Sequence, residues 1–198
     1  MPTRPAHRDH RAGRLGTLVP LTVAALLAGC SPDPAPAVTP PAASASAAPS
    51  PTLPSPAPSP TQPAEMARDD EAGAVAAVQH FLRLYAYTEE AQDTSAWEAM
   101  SHPNCVFCKS VLDDVTARRL SHQVTYPTPM LVTATTVDAI SPLAYTVTVD
   151  VATGPDALWS RDGVLLDPGT TEHGRMTLVM VNQRNAWLVR EVQLDRAA

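Results

Sequence analysis

The chain has 198 residues and a formal net charge of −6, room for one ordinary domain plus extensions. Aromatics make up 5% of it and prolines number 21, of which 12 fall between Cys30 and Glu65. Residues 65–198 carry 18 acidic and 10 basic side chains, which excludes a nucleic-acid partner, since that needs a basic face, and argues against adhesion to anionic lipid heads by domain charge.

Residues 1–14 form a basic leader with Arg4, Arg8, Arg11 and Arg14 against Asp9 alone. Leu15 to Ala28 is an apolar run too short and wrongly flanked for a membrane span. It ends in Leu27-Ala28-Gly29-Cys30, which resembles a bacterial lipobox at all four positions. The resemblance implies cleavage between Gly29 and Cys30, a lipid (diacylglyceryl, palmitate) on the Cys30 sulfur, and residence on the outer face of the cell membrane. Each buried methylene of such an anchor contributes ~0.8 kcal/mol, and two or more chains hold stably where one does not.

Ser31–Ala64 is built of Pro, Ala, Ser and Thr with almost no large apolar group. It buries too little surface to offset its ordering entropy, so the sequence predicts an unfolded spacer inclined to polyproline II. Its reach is on the order of 100 Å, at ~3.1 Å per residue. The predicted boundaries are therefore a signal peptide over 1–29, a lipidated Cys and disordered linker over 30–64, and a folded domain over 65–198.

In the domain, Val75, Val78, Leu82 and Tyr85 recur at helical spacing, with Ala74, Phe81 and Ala86 widening the stripe, and predict a helix from about 66 to 87. Ser95-Ala96-Trp97-Glu98 reads as a capping box opening a short second helix. Ser101-His102-Pro103-Asn104 breaks the chain, and Lys109 to about Ser121 reads as a third helix. After Pro129 the period changes to two. Strands are predicted over Met130–Ile140, Ala144–Ala152, Asp156–Leu166, Arg175–Val181 and Ala186–Leu194, the last two forming a hairpin across Asn182–Asn185. Three helices followed by a run of strands predict an α+β domain, the helices packed on one face of a curved, mainly antiparallel sheet of four to five strands.

This order of elements resembles the cone-shaped fold of the nuclear transport factor family. A closer resemblance joins the lipobox, the Pro-rich linker, Phe81-Leu82 and Tyr85 on the first helix, and His102-Pro103-x-Cys105-x-x-Cys108. Together these are similar to a family of actinobacterial lipoproteins of unknown function, which implies membership and location but no activity. The basic residues fit that origin: Lys109 is the only lysine among 14 of them, a bias of GC-rich genomes.

With Cys30 taken by lipid, Cys105 and Cys108 remain in an oxidising compartment, and the reading adopted is a structural disulfide at the head of the third helix. Two alternatives stand beside it. One is a thiol redox pair at a helix N-terminus. The other is zinc, with His102 joining the cysteines and His122 or His80 as the fourth ligand. His80, Tyr85, Trp97 and Tyr145 are the side chains proposed for a pocket, while Asp113-Asp114 and Arg118-Arg119 read as solvated faces and Asp162-Gly163 as a turn. The sequence has no GxSxG, no phosphate-cradling glycine loop, no HExxH and no EF-hand loop, so no catalytic residue, cofactor or metal is expected. The function this supports is a membrane-anchored envelope module binding a ligand, cell-wall component or envelope protein. An enzyme using the cone pocket, and a thiol oxidoreductase, are the alternatives.

Overall fold

The computed structural model describes residues 53–196. The predicted signal peptide, the predicted cleavage site at Gly29 and Cys30, and most of the predicted linker lie outside the described residues.

From Leu53 to Pro63 the chain has no regular structure, and Pro63 sits at φ −68°, ψ 149°, a polyproline II conformation. Ala64–Ala67 then forms one 3-10 turn that buries Met66. The first helix, α1, runs over Glu71–Ala91 rather than 66–87. It starts late because the Asp70 carboxylate accepts from Gly73 N at 3.1 Å, a stronger N-terminal signal than the apolar stripe alone. Gly73 is required there: a Cβ would lie 2.1 Å from the Arg68 carbonyl oxygen. The helix ends at Gln92, left-handed at φ 55°, whose N–H returns to Thr88 O.

Helix α2 covers Ser95–Met100, where Thr94 rather than Ser95 is the N-cap and Asp93 accepts from Ser95 N and Oγ. Helix α3 covers Val106–Leu120, starting three residues earlier than Lys109 because Cys105 serves as its N-cap, its Sγ accepting from Cys108 N at 3.1 Å.

Seven strands follow: β1 Gln123–Tyr126, β2 Leu131–Ser141, β3 Ala144–Thr153, β4 Ala157–Ser160, β5 Leu165–Asp167, β6 Glu172–Gln183 and β7 Ala186–Arg196. They make two sheets, not the single sheet of four to five strands expected. One is four-stranded in the order β2-β3-β6-β7 and the other three-stranded in the order β1-β4-β5. The sequence conceals the second sheet because β1 is only four residues long. The expected strand Asp156–Leu166 is in fact β4 and β5 folded back on each other, its middle turning at Asp162-Gly163, with Gly163 at φ 82°. The β6–β7 turn places Arg184 and Asn185 at φ 55° and 61°, the two left-handed residues of a type I′ hairpin.

The strict alternation in β3 does what its period demands: Tyr145, Val147, Val149 and Val151 are buried. With Met176, Leu178 and Met180 of β6 and Val189 of β7 they form one face. Val78, Phe81 and Leu84 of α1, Trp97 of α2 and Val111 and Val115 of α3 complete the same core cluster. Each such side chain contributes ~1.5–3 kcal/mol by leaving water.

Candidate functional site

Where α1 and α3 part from the four-stranded sheet, a cleft of about 350 Å³ opens, a size within the range of small-molecule sites. Its apolar lining is Tyr85 of α1, Phe107 of α3, Met130, Val151 of β3, Met176 of β6 and Leu194 of β7. Asp156, Glu172, His173 and Asp195 form its polar rim, with Arg175 beside them.

The aromatic floor is held from beneath by Trp97. Its ring stacks on Phe81 at 4.2 Å and lies 6.1 Å from Tyr85 and 6.3 Å from Phe107. Its Nε1 donates to Cys108 O at 3.1 Å, so the one polar atom of a fully buried indole is satisfied by the disulfide segment itself. Cys105 and Cys108 are bonded, S–S 2.01 Å, and are 2% and 1% exposed. In that state neither sulfur is a thiolate ligand, which leaves the zinc arrangement without its two cysteines.

The rim is built from three loops that close on one another. Thr128 N donates to Asp156 Oδ1 at 3.1 Å, and Thr128 Oγ1 donates to Pro155 O at 3.0 Å. A Cβ on Gly154 would lie 2.6 Å from the Thr128 side chain. One on Gly169, at φ +69°, would lie 2.5 Å from Asp156 N. Glycine lets the Thr128 side chain sit against residue 154 and the Asp156 backbone against residue 169, which fixes Asp156 at the mouth. Burial, and then Glu172 nearby, raise the Asp156 carboxyl above its ordinary range. On this rim Asp156, Glu172 and Asp195 face one guanidinium, Arg175, which is already paired with Asp150 at 2.7 Å.

Behind the floor stands Glu89, one turn beyond Tyr85 on α1, 3% exposed and ion-paired with Arg118 of α3. Burial outweighs Arg118 and pushes its carboxyl up to about 7, with Asp114 and Asp156 adding to the rise. The Tyr85 hydroxyl is raised by the same burial and by Glu89.

The four side chains proposed for a pocket do not converge. Tyr85 lines the cleft and Trp97 lies under it. Tyr145 points inward at another place, packed on Trp187 at 5.9 Å, with its hydroxyl donating to Asp69 O and Pro142 O. His80 does not line the cleft and is 2% exposed; its Nδ1 has no partner, and burial with Arg83 lowers its pKa. Arg118 and Arg119 are not a free solvated face either, since Arg118 pairs with Glu89 and Arg119 donates to Gln92 O, tying α3 to the end of α1. Asp156 and Glu89 were missed because in sequence Asp156 reads as the first residue of a strand and Glu89 falls just beyond the predicted end of the first helix. The signal available for Glu89 was its position four residues after Tyr85 on the same helical face.

Among the described residues no helix is long and apolar enough to cross a membrane, and no group of three or more His, Cys, Asp or Glu is placed to hold a metal ion.

Helices layered on one face of an antiparallel sheet define an α+β protein. The chain belongs to a family of unknown function, DUF6318, whose model matches residues 47–193. No curated protein matches it. Among solved structures it is similar to the intermembrane space region of the chloroplast protein ARC6, at 11% identity and TM-score 0.50, over 66% of this chain and 99% of that one. At that identity the likeness concerns the fold alone. It is also similar to a putative scytalone dehydratase from Novosphingobium aromaticivorans (11% identity, TM-score 0.46, 64% and 85% covered). A third is an NTF2-like protein of unknown function in nutrient uptake from Rhodospirillum rubrum (16%, TM-score 0.44, 66% and 100% covered).

Proposed function

We propose that this chain is an extracytoplasmic lipoprotein, held to the cell membrane through Cys30, whose domain binds a small amphipathic envelope ligand in the cleft. The ligand lays an apolar part on Tyr85 and Phe107 and turns a cationic group toward Asp156 and Glu172. One observation carries the binding reading: an aromatic-floored cleft whose rim holds three carboxylates against one guanidinium already engaged by Asp150. The lipobox supports the location and the acidic domain supports the sign of the ligand's charge. The linker gives the domain reach into the cell wall.

Benzyltrimethylammonium, followed through tryptophan fluorescence of the full chain in detergent, is a suitable probe because Trp97 lies directly beneath the floor. Saturable quenching is expected, weakened about tenfold when Asp156→Asn and Glu172→Gln are combined, with neutral benzyl alcohol binding less well. Equal binding of the probe by the double variant would refute the ligand reading. The anchor has its own check. Cys30→Ala releases the protein to the medium or leaves uncleaved precursor, and unchanged lipid attachment defeats it.

An enzyme is the second reading, favoured by the Tyr85 hydroxyl and the Asp156 carboxyl sharing one cleft. The oxidoreductase alternative has no comparable support, because both bonded sulfurs are buried.

A further inference from the structure

The last part of the Pro-rich segment does not leave the domain at Glu65. Ala57, Pro58 and Pro60 form one wall of a groove of about 550 Å³, with Leu82, Ala86 and Tyr87 of α1 on the second wall. Pro127, Pro129, Met130 and Val132 form the third. The Tyr126 hydroxyl donates to Pro54 O at 3.1 Å, anchoring the far end of the strap. An extended proline chain set between an aromatic ring and an apolar ridge, with a hydroxyl reading its carbonyl, uses the chemistry of polyproline recognition, in which little ordering entropy remains to be lost.

The ridge 127–130 has two sides. One faces the strap through Pro127, Pro129 and Met130. The other belongs to the cleft: Met130 lines it, Thr128 N holds the Asp156 carboxylate, and the Thr128 side chain fills the space that Gly154 leaves open. We infer that this chain's own residues 54–60 dock as a polyproline strap beside α1 and the ridge 127–132, closing the groove as one of its three walls, and that this docking fixes the cleft rim at Asp156. The tether then reports to the site it carries, since a segment pulled off α1 leaves the ridge supported on one side only. The inference is independent of what the cleft binds.

Amide hydrogen exchange of the full chain tests it. Replacing Pro54, Pro56, Pro58 and Pro60 together by Gly alters only exposed or half-buried positions outside every helix and strand. Exchange in peptides covering 126–130 and 153–156 is expected to rise about tenfold, while peptides covering 105–112 stay as in the parent. Tyr126→Phe, which keeps the ring and removes the donor, gives a smaller rise at the same two places. Faster exchange confined to 53–63 overturns the coupling. A uniform rise that includes 105–112 overturns it equally, because it means global loosening rather than a transmitted one.

Discussion

Around Trp97 the domain is sealed: a stacked ring, a satisfied indole N–H and a covalent cross-link within one turn of helix. At the cleft mouth the lining is carboxylates and loops that meet through glycine. The first region gains its stability from apolar contact and tolerates no change of volume. The second depends on backbone closeness and a few hydrogen bonds, which leaves its surface side chains available to a ligand. A rigid floor under a polar mouth permits binding without reorganising the core.

The contrast breaks most severely at Trp97. Trp97→Ala removes the shared neighbour of Phe81, Tyr85 and Phe107 and leaves Cys108 O without its donor, and is expected to cost ~3–5 kcal/mol, read by urea denaturation. A loss no greater than that of an exposed substitution would mean the floor is not held from below.

Glu89, lying between the two regions, comes next. Its folded pKa of about 7 lies above the ordinary 4.5, so the folded state binds the proton more tightly. That stability is present at low pH and is lost as pH rises from about 4.5 to about 7, by up to about 3 kcal/mol. His80, held below its ordinary value by burial, acts in the opposite sense and gains stability as pH rises. The quantity to measure is therefore the difference between the parent and Glu89→Gln. The gap should widen in favour of the variant across that window, and a pH-independent gap would contradict the assignment.

Cys105→Ser with Cys108→Ser is expected to lower stability by ~2 kcal/mol, since the closed loop is short. The loss should vanish when both proteins are compared in reductant. The smallest effects belong to the mouth: Tyr85→Phe and Asp156→Asn should shift stability by no more than about 0.5 kcal/mol while altering probe binding. Larger shifts would place these residues in the structural region instead.

The sequence made legible whatever packing makes periodic. The alternation Tyr145, Val147, Val149, Val151 named its buried face correctly, and the stripe on α1 named Phe81 and Leu82. The expected pairing of Cys105 with Cys108 agrees with sulfurs at bonding distance. Sequence does not show what is decided across space. Glu89 is buried and paired with Arg118, whereas Glu90 beside it is only half-buried, a difference two adjacent glutamates do not show in sequence. Asp156 reads as part of a strand until Thr128, 28 residues away, closes on it. The strand 123–126 is too short to carry a period, and its existence depends on pairing with residues 157–160. Tyr145 and Tyr85 look equivalent as inward tyrosines, and only the assembled layers send one to Trp187 and the other to the cleft.

The cross-link at the head of α3 spans a sequence separation of three. Closing it requires no distant partner and costs little loop entropy. The bond therefore constrains the opening turn of that helix locally, where the Cys108 carbonyl receives the Trp97 indole.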